Sequence, residues 1–122
     1  MRTIKFRAWD ESQKYMAKQG TPDLESIQSF FFHFGNFPLM QFTGLTDKNG
    51  IEIYEGDIIQ FLIDNEKYIV EFTEGSFCIV SNPNNCIISM YDFHNSEFLI
   101  LGNIYENAEL LQVWFFLHLQ LT

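Results

Sequence analysis

Leu39-Met40-Gln41-Phe42-Thr43-Gly44-Leu45-Thr46-Asp47-Lys48-Asn49-Gly50-Ile51-Glu52-Ile53-Tyr54-Glu55-Gly56-Asp57-Ile58-Ile59 sets two extended runs around one turn signal, with a second bend close behind. Asn49-Gly50 suits two consecutive positive-φ positions, the need of a tight hairpin. Glu55-Gly56-Asp57 supplies the next bend, ahead of the apolar run 58–63. The stretch reads as the corner of a small β-barrel.

Downstream of this corner the pattern repeats. Residues 58–63, 67–73 and 76–81 read as three meandering strands, separated by Asp64-Asn65-Glu66 and Glu74-Gly75. Turn signals at intervals of about ten residues are what a small sandwich or barrel requires. Tyr68, Val70 and Phe72 alternate with Ile69, Glu71 and Thr73, giving one apolar and one mixed face. Residues 86–90 are apolar, 91–96 read as a loop, and 97–101 as a further strand. Residues 106–111 can form one or two helical turns capped by Asn103 or Asn107.

Upstream, residues 2–9 alternate with period two, so they read as a strand. Ile4, Phe6 and Ala8 are expected inside and Lys5 and Arg7 outside, with Trp9 on the polar face or turned into the next loop. Residues 10–20 read as a loop or short hairpin. Thr21 as N-cap and Pro22 at the first helical position can open a short helix. Residues 30–37 then hold five phenylalanines, too many for a strand with one wet face. Either both faces are covered or some rings are displayed to a partner. His33 within the cluster reads as a hydrogen-bonded structural side chain.

A chain of 122 residues is one domain, large enough to bury a core without disulfides or metal. The net charge of −9 is uneven. Arg2, Lys5, Arg7, Lys14 and Lys18, less Asp10 and Glu11, give +3 over residues 1–18 and leave −12 over the rest. An acidic body repels phosphate backbones, so any nucleic-acid contact is confined to the amino end. Acidity also keeps a Phe-rich surface in solution. Cys78 and Cys86 bracket the Asn82-Pro83-Asn84-Asn85 loop and can face each other across a hairpin. Charges interrupt the opening residues, which do not form a secretory leader, so reduced thiols and a cytoplasmic location are the expectation. His33, His94 and His118 lack ligand spacing, and neither a metal nor a cofactor is expected.

Four pieces, in order, resemble the YopX family of phage and prophage proteins. They are Ile4-Lys5-Phe6-Arg7-Ala8-Trp9-Asp10, the corner quoted above, Gly75-Ser76-Phe77, and Leu101-Gly102-Asn103-Ile104-Tyr105-Glu106-Asn107-Ala108-Glu109-Leu110-Leu111. The resemblance implies a mainly β domain, α+β at most, over residues 1–111. Its core, about residues 39–105, is a small SH3-like barrel with an N-terminal strand and loop extension and a short C-terminal helix. No catalytic residue is implied. Residues 112–122 depart from the family as an apolar tail in which Leu117, Leu119 and Leu121 alternate with polar residues, too short to span a bilayer.

Glu52, Glu55 and Asp57 crowd the bend and can in principle hold a cation or move protons, but solvated acids normally collect at bends. No nucleophile elbow, phosphate loop or zinc motif is present. The leading expectation is a non-enzymatic protein-interaction module, a homo-oligomer being one version, with Phe31, Phe37, Tyr54 and Tyr105 as anchors inside an acidic rim. The alternative is a nucleic-acid accessory protein using Lys5, Arg7, Trp9 and Lys14. A hydrolase ranks last.

Overall fold

The structure, a computed structural model, describes residues 3–20, 25–81 and 86–111. Within them the chain runs β1 (Phe6–Asp10), β2 (Tyr15–Lys18), α1 (Ile27–Phe34), β3 (Leu39–Thr46), β4 (Glu52–Tyr54), β5 (Asp57–Phe61), β6 (Glu66–Thr73), β7 (Ser76–Ser81), β8 (Cys86–Ser89) and β9 (Phe98–Asn103). The fold is mainly β, as expected. A four-stranded sheet has the order β2-β1-β3-β4, and a five-stranded sheet the order β8-β7-β6-β5-β9. The second curls into half a barrel. The tail 112–122, the Thr21-Pro22 helix opening and the Asn82–Asn85 loop lie outside the described residues.

The meander emerges as β5, β6 and β7, paired antiparallel in sequence. Tyr68 and Val70 turn inward with Ile59, Phe61, Phe77, Ile79, Met90 and Phe98. Ile53 and Leu45 from the other sheet join the same core. Burying each large apolar side chain contributes about 1.5–3 kcal/mol.

Ile27, Phe30, Phe31 and Phe34 stand at i, i+3, i+4 and i+7, which is why the Phe-rich run becomes α1. Ser26 caps it, its hydroxyl accepting from the Ser29 N–H at 3.0 Å. Phe30 seats on Ala8 and Ala17, with Phe6, Phe34, Phe37 and Leu39 packed around them. The Phe cluster therefore takes both options at once: one helix face is covered, and Phe31 and Phe32 remain outside.

One turn differs from expectation. At Asp47–Gly50 only Gly50 has positive φ (81°), and its N–H donates to the Asp47 carbonyl at 3.0 Å. This is a type I turn ending in a left-handed glycine, with Asp at its first position. The two consecutive positive φ values occur instead at Glu74 (53°) and Gly75 (83°), between the paired Thr73 and Ser76. Glu74 carries the steric cost of a left-handed backbone, which Asn tolerates better. Glu74→Asn is expected to raise stability by about 0.5–1 kcal/mol, read as a higher thermal midpoint.

The β7–β8 register sets Cys78 opposite Ser89 and Cys86 opposite Ser81, so the two cysteines are not cross-strand partners. Cys78 is a buried free thiol.

The junction between the sheets

The chain passes from the four-stranded sheet to the five-stranded one through Glu55-Gly56. Gly56 is buried with φ 85°, and a Cβ there would sit 3.2 Å from Met40 Sδ, so only glycine fits. Its N–H donates to the Val70 carbonyl and its carbonyl accepts from the Ile104 N–H, both at 2.9 Å. Met40, Val70 and Ile104 thus close on one point of the backbone.

Beside that point lies a buried ion pair. Arg7 Nη2 donates to Asp57 Oδ1 at 2.8 Å and to the Glu55 carbonyl at 3.1 Å. The Arg7 guanidinium also lies 4.8 Å from the Tyr54 ring centre. Asp57 Oδ2 accepts from the Tyr54 N–H at 2.8 Å, closing the bend on itself. Burial pushes the Asp57 carboxyl above its ordinary range, and the Arg7 charge opposes it. Burial, aided by the Glu52 charge, pushes Tyr54 up to about 12.

Three expectations are corrected here. Arg7 is only 5% exposed and Trp9 only 3%, so the supposed polar face of β1 is an interior face. Ile4, expected inside, is exposed. Tyr54, expected as a surface anchor, is 1% exposed and belongs to the interior. Glu52, Glu55 and Asp57 do not converge: Glu52 pairs with Lys5, Glu55 Oε1 accepts from the Gln41 N–H at 2.9 Å, and Asp57 holds Arg7.

The other anchors fall in separate places. Phe31 is 39% exposed and meets Phe6 edge-on at 5.1 Å. Phe37 is half-buried against Phe34 at 5.8 Å. Tyr105 is half-buried and stacks on Trp9 at 6.0 Å. Phe32, absent from the expected set, is 85% exposed. The helical phase points to it, since it lies two positions past the inward Phe30. The expected nucleic-acid contacts are engaged internally. Lys5 is paired with Glu52, Arg7 with Asp57 and Lys14 with Glu11, and Trp9 Nε1 donates to Glu11 at 2.7 Å.

A cleft of about 300 Å³ opens at the junction. Leu39, Met40, Val70 and Ile104 supply apolar lining, Tyr105 and Phe72 add rings, and Glu55 and Glu71 supply acids. The loop carrying Tyr105 is fixed by polar contacts. Asn103 Oδ1 accepts from the Tyr105 and Glu106 N–H groups at 3.0 and 2.9 Å, and Asn107 Oδ1 accepts from the Asn103 N–H at 3.1 Å. A Cβ at Gly102 would collide with Asn107 Oδ1 at 2.3 Å, so the close approach needs glycine. Among the described residues no group of three or more His, Cys, Asp or Glu side chains could hold a metal ion. Nor is any described helix long and apolar enough to cross a membrane.

The family model described as YopX protein matches residues 5–112, a span that contains both sheets and the junction. The chain belongs to the YopX family. A crystal structure of protein EF1440 from Enterococcus faecalis is similar to this YopX chain. The TM-score is 0.59 and the identity 27%, covering 91% of this chain and 99% of that one. No curated protein matches the chain.

Proposed function

We propose that this YopX chain is a phage- or prophage-encoded accessory protein of the bacterial cytoplasm that works as a non-enzymatic interaction module on a small SH3-like platform. The observation that carries the reading is the outer face of α1. Phe32 is 85% exposed, and Ile27 and Phe31, at the edge of the face that seats Phe30 on the core, are 38% and 39% exposed, so this apolar surface is not consumed in building the core. Large rings displayed on a rigid element are the residues that anchor protein interfaces. Supporting the protein reading over the nucleic-acid one, Arg7 and Trp9 are buried against partners and Lys5 is half-buried against Glu52, so of the four only Lys14, in an exposed pair with Glu11, stands in solvent. The net charge of −9 acts in the same direction.

The test compares the wild-type chain with the Phe31→Ser/Phe32→Ser variant, in light scattering at two salt concentrations and as bait in infected-host extract. The variant is expected to keep the far-ultraviolet spectrum and to lose at least about tenfold in self-association or in retention of a specific protein. Identical behaviour of the two proteins, with both strictly monomeric, rejects the reading.

A further inference from the structure

The cleft at the junction borders a stretch of β6 that β5 does not reach. In the β6–β7 ladder Glu71 faces Cys78 and Thr73 faces Ser76, flanking the two-residue Glu74-Gly75 turn. The residues bracketing such a turn exchange hydrogen bonds with each other, so Glu71 and Thr73 direct their backbone groups to β7. Val70 and Phe72 direct theirs the opposite way. The Val70 carbonyl, accepting from the Gly56 N–H, agrees with this parity. Beyond Gly56 the chain swings away, the Glu55 N–H donating to the Gln41 carbonyl of β3 at 2.9 Å. The Phe72 N–H and C=O therefore point to a side of β6 where no described strand is paired.

Resting on the interaction reading above, the geometry points to a specific occupant: an extended, lysine- or arginine-bearing segment of another protein that carries one large apolar side chain. Its backbone continues the line of β5 and pairs with Phe72. Its apolar side chain enters among Leu39, Met40, Ile104 and Tyr105, and its cations meet Glu71 and Glu55. Strand addition supplies the main-chain bonds, and the lined cleft supplies selectivity for one side chain. Charge selects the occupant. The cleft carries two acids and no cation in its lining, on a molecule of net charge −9. This chain's own residues 113–121 are mostly apolar and contain no Lys or Arg, and so lack the complementary charge.

The probe is a fluorescein-labelled nonapeptide of alternating lysine and threonine with one central leucine, read by anisotropy against the full chain. Three changes are each expected to weaken binding by about tenfold or more: leucine to serine in the peptide, N-methylation of the amides next to that leucine, and Glu71→Lys in the protein. Glu71 is exposed, so that variant keeps its fold, and Phe72→Ser serves as a second variant at the same edge. Amide chemical shifts are expected to move at residues 70–73 and 104–105. Equal binding of the serine peptide, or of the N-methylated one, reduces the effect to diffuse charge attraction and overturns the proposal. So does an absence of binding, or a dimer that Glu71→Lys dissolves without peptide binding, since the occupant is then a second copy. Dependence on Phe31 and Phe32 stands or falls separately, because neither lines the cleft.

Discussion

Arg7→Ala is expected to destabilise the protein by about 3–5 kcal/mol at neutral pH, because it leaves the Asp57 carboxylate buried without its cation. Urea unfolding followed by tryptophan fluorescence measures it. Arg7 and Asp57 are 50 residues apart in sequence and join the first strand to the bend between the sheets, so the loss is global. The effect carries a pH signature. Burial raises the folded pKa of Asp57 above its ordinary 3.8, so in the fold the charged form is the disfavoured one. Removing Arg7 takes away the charge that opposes this rise. The penalty in the variant is complete above the raised pKa, shrinks as pH falls through it, and vanishes below 3.8, where the carboxyl is protonated in both states. The gap between wild type and Arg7→Ala should therefore narrow on acidification. Combining Arg7→Met with Asp57→Asn should recover much of the loss, since no unpaired charge is then buried. A single-variant loss below about 1 kcal/mol, as for a solvated pair, refutes the account.

Asp47→Ala should cost about 3 kcal/mol or more, since it strips the acceptor from three backbone donors. Asp47 Oδ1 accepts from the Asn49 and Ile51 N–H groups at 2.8 and 3.0 Å, shaping its own turn. Oδ2 accepts from the Ile100 N–H at 3.1 Å, across to β9. The Lys48 N–H donates to the Phe98 carbonyl at 2.9 Å and doubles that link. Faster amide exchange at Ile100, ahead of global unfolding, is the specific readout. Unchanged exchange there, with stability intact, removes Asp47 from the role. Asp47→Asn keeps one acceptor but turns a donor toward one N–H, so it should fall between the two proteins.

The five-stranded sheet was legible where the physics is local. Glu74-Gly75 and Asp64-Asn65-Glu66 punctuate runs whose alternation at Tyr68 and Val70 names the inner face, and β5, β6 and β7 follow. The inward side of β1 was not legible, because period two distinguishes two faces without saying that both are covered. Phe30 closes on Ala8 from one side, while Tyr105 and Tyr54 cover Trp9 and Arg7 on the other. Trp9 on the same face as Arg7 was the available clue. The helical spacing of Ile27, Phe30, Phe31 and Phe34 was equally present, but it was obscured by the density of phenylalanine. The Arg7–Asp57 pair and the cleft come from separations of dozens of residues, which no local pattern encodes.

Strand β9 arrives last among the described strands, yet it pairs with β5 near the middle of the chain, Phe98 against Phe61 and Ile100 against Ile59. A nascent polypeptide still short of Phe98 presents β5 as a bare, greasy edge, the kind of template on which unfinished chains stick to one another. Residues 98–103 are what conceal that edge, so a copy truncated before Phe98 is expected to aggregate where one that includes β9 does not.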